Sequence, residues 1–163
     1  MLVSAAQLKL QALTDNLITL FNQWYLIDEL SKLIVACAVD GGTVSIVLLD
    51  IDDFKVFNDT YGHLRGNQVL CQFAALLKER SGAGSYMAAR YGGEEFVVAL
   101  PGCGQGEAFR FADAALRELV HETFSVSGGV AEYARDATPD EWIRRANTNM
   151  YAAKRAGKNR IVG

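Results

Sequence analysis

The sequence predicts an α/β fold of the α+β kind, a mostly antiparallel central sheet with flanking helices, on three observations. Short apolar runs of strand length alternate with segments whose apolar residues recur at helical spacing. Two of the runs are joined by Gly92-Gly93-Glu94-Glu95, a hairpin signal because glycine supplies the positive φ that tight turns require. Helix-length segments separate the other runs, so the core reads β-α-β-β-α-β. That order is the ferredoxin-like or palm arrangement, with helices over one face of the sheet. The 163 residues, half of them hydrophobic, suit one such domain with a core of its own.

Each element has its own signal. Ala5 to Leu13 reads as a helix with few large apolar residues, a connector rather than a core element. Asn22 caps a second helix, where Trp24, Ile27, Leu30, Ile34 and Cys37 form the apolar stripe and Gly41-Gly42 ends it. The run T-V-S-I-V-L-L-D is a buried strand closing at Asp50. From Asp52 to Gly66 the chain is polar and shows no clear period. Val69, Leu70, Phe73, Leu76 and Leu77 then mark a helix that Ser81-Gly82 terminates. The hairpin strands are Tyr86 to Tyr91 and Phe96 to Leu100, the second stopped by Pro101-Gly102. Phe109, Ala112, Leu116 and Leu119 line the next helix, and Phe124 to Ala131 the next strand. Thr138-Pro139-Asp140-Glu141 is a capped helix start, Gly157 is the stop, and Arg160 to Val162 forms a short last strand.

Composition narrows the function classes. A net charge of −3 gives no reason to expect nucleic-acid or bulk membrane binding. Cys37, Cys71 and Cys103 are odd in number and lack C-x-x-C spacing, so they read as reduced core thiols. The longest apolar run, Val44 to Leu49, is broken by Ser45 and far too short to span a bilayer. The expectation is a cytoplasmic domain, one that a full-length protein can still tether to a membrane.

Chemistry concentrates in two places: D-I-D-D-F-K, from Asp50 to Lys55, and the hairpin G-G-E-E. If the first strand pairs beside the hairpin, Asp50, Glu94 and Glu95 converge. Carboxylates that close raise one another's pKa unless a cation neutralises them. An all-oxygen donor set favours magnesium, which takes one or two carboxylates and leaves its other positions to water and phosphate. The bland alternative is an acidic strand edge followed by a solvated turn. Lys154 and Lys158 lie four apart, on one face if the last helix extends that far, and two ammonium groups beside a cation site suit a triphosphate. Taken alone they read equally as a favourable charge at a helix C-terminus, and Lys55 as a surface lysine.

At this point five segments, in order, make the sequence similar to a known family. D-N-L-I-T-L-F-N (15–22), D-I-D-D-F-K-V-F-N-D-T-Y-G-H (50–63), R-Y-G-G-E-E-F (90–96), S-G-G-V-A (127–131) and M-Y-A-A-K-R-A-G-K-N-R (150–160) resemble the GGDEF domain of diguanylate cyclases, in its GGEEF variant. The resemblance covers nearly the whole chain and implies the fold that nucleotide cyclases share with polymerase palm domains. It implies condensation of two GTP into cyclic di-GMP and two pyrophosphates, one GTP per subunit of an antiparallel homodimer. Magnesium is the implied cofactor, with manganese as a substitute. Asp50, Glu94 and the backbone carbonyl of Ile51 match the metal ligands, and Glu95 the second hairpin acid, which binds metal or deprotonates the attacking 3′-hydroxyl. Glu95 and Lys55 are thus the catalytic candidates. Lys55, Lys154 and Lys158 match triphosphate contacts, and Phe54 and Lys55 lie where backbone N–H groups face phosphates. Asn58 matches a residue that hydrogen-bonds guanine, and His63 a characteristic position with no assigned step. Residues 1–14 then read as a connector helix from an upstream sensory or receiver domain, and 15–163 as the catalytic domain.

Three departures from the pattern carry meaning. Asn67 stands where the family usually has aspartate, so one acceptor towards guanine is lost and a donor gained. Ala83 and Tyr86 occupy the places of the R-x-x-D product-inhibition site, which is absent in its usual form. Ile18, Thr19 and Gln23 replace Thr, Gly and Arg of the opening motif, while Asp15 is kept and is expected to pair with Arg90. Two readings of different class follow: an active cyclase, or a catalytically weak or inactive GGDEF domain that binds GTP or a cyclic dinucleotide as a regulatory module.

Overall fold

A computed structural model describes residues 2–15, 17–83, 85–135 and 137–163. The strands are β1 (Val44–Ile51), β2 (Met87–Arg90), β3 (Glu95–Pro101), β4 (Val126–Glu132) and β5 (Ile161–Val162), in the sheet order β2-β3-β1-β4-β5. The first four run antiparallel to their neighbours and β5 adds parallel to β4. Helices are α1 (Ala5–Leu13), α2 (Gln23–Asp40), α3 (Phe54–Tyr61), α4 (His63–Ala83), α5 (Gln105–Arg117) and α6 (Pro139–Arg155). The run β1-α4-β2-β3-α5-β4 is the expected β-α-β-β-α-β core.

Strand β1 holds the centre, and all eight of its residues are buried. Its alternating side chains feed two cores, because a strand sends successive residues to opposite faces. Val47, Leu49 and Ile51 meet α3, α4 and α5 through Phe57, Phe73, Leu77 and Leu116. Val44, Ile46 and Leu48 meet α2 and α6 through Leu26, Leu30, Trp142 and Met150. Helices therefore cover both faces, not one. The apolar period of α2 and α6 shows that they bury a stripe, but nothing local shows on which side.

Four other expectations change. Trp24 is 84% exposed. It lies two residues from Leu26, roughly 200° around the helix, on the side away from the sheet. The polar stretch after Asp52 contains α3, whose Phe54, Phe57 and Tyr61 recur at helical spacing although only Phe57 is buried. Neither Gly92 nor Gly93 has a positive φ. Of the cysteines, only Cys103 is in the core, and Cys71 is exposed.

Helix α6 decides where the site lies. Thr138 accepts from the Glu141 N–H in a capping box, and Trp142, Ile143, Ala146, Met150 and Ala153 form its buried stripe. It presses on β4 at Gly129, where a Cβ would stand 2.0 Å from Ala146 O and 2.3 Å from Met150 N. Only glycine permits that approach. Gly129 faces Leu48 of β1, and Asp50 lies two residues further along. One helical turn past Met150, about 5.4 Å, brings Lys154 over Asp50, about 6.8 Å along the strand. No helix among the described residues is long and apolar enough to cross a membrane.

Candidate active site

Asp50 and Glu95 are direct cross-strand partners at the ends of β1 and β3. Both share the α6 face of the sheet, in step with Leu48 and Val97. Glu94 lies beside them, its backbone carbonyl accepting from the Ile51 N–H at 3.2 Å. The Ile51 side chain is buried in the opposite core, so only its backbone can serve the site. Lys154 Nζ donates to Asp50 Oδ1 at 2.6 Å.

The electrostatics follow from burial. Asp50 is 7% exposed, and desolvation pushes its carboxyl above the ordinary value. The Lys154 ammonium opposes that rise, while Glu94 and Asp52 add to it. Burial, then Asp50 and Glu94, push Glu95 up as well, with Lys154 again opposing. A carboxylate held this way is a better proton acceptor than one in water, which suits a general base.

Among the described residues no group of three or more His, Cys, Asp and Glu forms a ready-made metal cage. The donors present do fit a hard cation: carboxylates of Asp50, Glu94 and Glu95, and the Ile51 carbonyl. Magnesium usually takes one or two protein carboxylates and completes its shell with substrate phosphates and water, so no closed cage is needed. The Lys154 ammonium, seated on Asp50, shows that a positive charge is accommodated at that spot.

The remaining candidates surround this cluster. Asp53 enters α3 with a left-handed φ of 52° and makes no side-chain cap. The first-turn N–H groups, those of Phe54 and Lys55 among them, are thus left uncapped by it, an arrangement suited to an anion. Lys55 is exposed on that turn. Lys158 is not on the helical face expected of it: α6 stops at Arg155, and Lys158 sits in the following turn with φ 63°. It still reaches the acidic end, donating to Asp53 Oδ1 at 2.6 Å. Asn58 and Asn67 lie further out, on α3 and the first turns of α4. The Asn58 Oδ1 is buried and has no partner among the described residues, an acceptor that suits an N–H from a ligand.

The expected tie between Asp15 and Arg90 forms, with both carboxylate oxygens 3.3 Å from one guanidinium nitrogen. Arg90 also donates to the carbonyls of Gly92 and Gly93, at 3.1 and 2.6 Å. The hairpin's backbone carbonyls thus hold Arg90, and neither glycine takes a left-handed φ. Tyr86, in the place of an inhibition-site aspartate, turns inward against Cys103 Sγ at 3.3 Å and packs edge-on against Phe111. The Ala83 side chain lies outside those described.

Sequence reasoning passed over three supporting residues: Gly66 beneath Asn58, Gly129 beneath α6, and Asp52. Asp52 lies just past the end of β1, two residues from Asp50, inside the D-I-D-D segment that the sequence already marks as acidic.

The comparisons with known proteins agree with this fold. Residues 12–160 match the family model described as diguanylate cyclase, GGDEF domain. The chain belongs to the GGDEF family. It is 37% identical over 166 residues to the response regulator PleD of Caulobacter vibrioides, covering 93% of this chain and 36% of that protein. It is 36% identical to the diguanylate cyclase DgcP of Pseudomonas aeruginosa, over 93% of this chain and 24% of that protein. The chain thus spans about a third or less of these curated relatives. Among solved structures, the coiled coil and GGDEF domain of DgcB from Caulobacter crescentus, in complex with c-di-GMP, superposes with a TM-score of 0.90 at 31% identity. That match covers 96% of this chain and 88% of the other. The active GGEEF domain of a diguanylate cyclase from Vibrio cholerae superposes with a TM-score of 0.81 at 28% identity, over 86% and 95% of the two chains.

Proposed function

We propose that this GGDEF domain is one half-site of a diguanylate cyclase, condensing two GTP into cyclic di-GMP and two pyrophosphates across a homodimer. The observation that carries the reading is the cross-strand pairing of Asp50 with Glu95 under Lys154. That places acids, a cation and the uncapped start of α3 at one end of the sheet.

Asp50, Glu94 and the Ile51 carbonyl would hold magnesium, or manganese in its place. Bound there, the ion supplies neutralisation of phosphoryl charge and a lowered pKa for the attacking hydroxyl. Glu95 accepts the proton from the 3′-hydroxyl, whose oxygen forms a bond to the α-phosphorus of the other GTP as the bond to pyrophosphate breaks. Lys55, Lys154, Lys158 and the N–H groups of Phe54 and Lys55 bind and orient the triphosphate. Asn58 and Asn67 face the guanine. One half-site holds one nucleotide, so in-line attack needs a second subunit opposite. Assembly is therefore the natural control point. Residues 1–14 act as the connector from an upstream sensory or receiver domain, which suits α1: it has no buried residue.

The test is incubation of equal GTP and ATP with magnesium, with products resolved by mass. Cyclic di-GMP is expected. Magnesium-dependent GTP binding without any dinucleotide would favour the regulatory-module reading, and mainly adenine-containing product would overturn the guanine assignment.

A further inference from the structure

One acid of the D-I-D-D segment has no part in that scheme. Asp52 is 7% exposed, and among the described residues no lysine or arginine pairs with it. Its carboxylate is satisfied by neutral donors instead: Ser127 Oγ at 2.6 Å on Oδ1, and Ser125 Oγ at 2.7 Å and the Asn159 N–H at 3.1 Å on Oδ2. Its own N–H donates to Ser125 O at 2.9 Å. A buried carboxylate is costly to desolvate, and three hydrogen bonds to the charged form are what make it tolerable.

Those donors come from two segments that also meet each other one residue past Asn159, where the Gly128 N–H donates to Arg160 O at 3.0 Å. Ser125 immediately precedes β4 and Ser127 is its second residue. Asn159 belongs to the turn after α6, where Gly157, Lys158 and Asn159 have consecutive φ values of 120°, 63° and 50°. Two of these three carry side chains in a region that side chains disfavour, so something outside the turn must hold it. Within the turn and the helix end, Lys158 N donates to Ala153 O, and Arg160 Nε to Lys158 O. Asp52 Oδ2 fastens the turn at Asn159, the residue after Lys158, to the strand that bears Asp50. Among the described residues the Lys158 ammonium pairs only with the exposed Asp53, an ion pair of the kind that contributes little, and it also feels the charge of Asp52.

We infer that Asp52 is a positioning residue: by clamping the Asn159 amide and the two serine hydroxyls, it fixes the Lys158 turn against the end of β1 and aims Lys158 at the phosphate side of the site. Asp52 touches no nucleotide and acts through Lys158. The inference rests on the proposed function for what Lys158 meets, and on the geometry alone for what Asp52 holds. Asparagine in its place keeps the shape but offers one acceptor oxygen in place of two, and its amine must face a hydroxyl that now donates.

Two measurements test it. In the nucleotide-free protein, hydrogen exchange at the Asn159 amide is expected to quicken in Asp52→Ala, and in Asp52→Asn if the alanine variant does not fold. Calorimetry with magnesium and a GTP analogue bearing a methylene between the α- and β-phosphates is expected to show Asp52→Asn binding about tenfold more weakly, the effect of one lost charged contact. GMP affinity stays unchanged. In a double-mutant cycle, Asp52→Asn adds no further loss to Lys158→Ala. Equal loss of GMP and triphosphate affinity, or additive losses in the cycle, would reduce Asp52 to a general fold residue. Unchanged exchange at Asn159 would overturn the clamp itself. If the parent protein binds neither nucleotide, the proposed function fails, and the exchange measurement alone decides whether Asp52 holds the turn.

Discussion

Gly66→Ala separates the nucleotide site from the fold. Gly66 is in the first turns of α4, directly under the Asn58 side chain. A Cβ there would stand 1.7 Å from Asn58 Oδ1, 2.8 Å from its Cγ and 3.3 Å from Phe54 Cζ. Heavy atoms settle about 3.5–4.0 Å apart, so the amide must move by roughly 1.5 Å or more. Hydrogen bonds operate over about 2.7–3.2 Å, so a shift of that size removes whatever bond Asn58 makes to a base. The fold loses little, because the obstacle is the end of a flexible side chain whose Oδ1 has no partner to give up among the described residues. Replacing glycine with alanine inside a helix even contributes about 1 kcal/mol. Thermal stability should hold or rise while guanosine-nucleotide affinity falls by about 1–3 kcal/mol, roughly 5- to 150-fold. Thermal unfolding and calorimetric titration with the GTP analogue read the two effects on one preparation. Unchanged affinity would refute the assignment of Asn58 to the base. Lost affinity with a collapsed melting temperature would mean that the clash had spread into the core.

Other expectations are shorter. Asp50 and Glu95 have raised pKa values, so between their ordinary and raised values the folded chain holds more protons than the unfolded one. Their contribution to stability is therefore present at low pH and lost as pH rises through that window. Relative to the parent, Glu95→Gln should gain stability as pH rises through it and should make no cyclic dinucleotide. A pH-independent difference in denaturant titrations would contradict the first expectation, and parental turnover the second. With Tyr86 turned in against Cys103 and no arginine at position 83, progress curves should show no strong inhibition by added cyclic di-GMP through that surface; sub-micromolar inhibition mapped to the segment before Arg90 would contradict this. Restoring the second acceptor with Asn67→Asp should lower KM for GTP, by about 5- to 150-fold if no water fills its place, and leave the product as cyclic di-GMP.

What could be read from the sequence was whatever a period or a register determines. Once β1 and the hairpin are seen as strands, antiparallel pairing brings Asp50 to Glu95. The caps at Asn22 and Thr138 likewise act within three residues of themselves. What escaped depends on distant surfaces. Whether α2 and α6 share a face with α4 and α5 is decided by crossovers. Trp24 fits an i, i+3 series with Ile27 and Leu30, yet the stripe that meets the sheet is centred on Leu26 and Leu30, which leaves the tryptophan outside. Helix α3 was hidden because a helix with one buried residue has almost no apolar period to show. Gly129 reads as a weakness in a strand until α6 lies on it.

The ion pairs show how the chain offsets the repulsion of the acids it gathers. Asp50, Glu94 and Glu95 would repel at the sheet end, but Lys154 comes from a helix seated by Gly129 and places its ammonium against Asp50. Asp53 is answered by Lys158 in the same way. The two pairs differ in burial. Lys158 and Asp53 are both well exposed, and such pairs contribute about 0–1 kcal/mol, so phosphate can take the lysine at little cost. Lys154 and Asp50 are mostly buried, and removing the lysine alone would leave a desolvated carboxylate unpaired. On the proposed function, a triphosphate can draw Lys154 away only if another cation meets Asp50 at the same time. Nucleotide and metal must then reinforce each other's binding, because each supplies the partner that the other takes away.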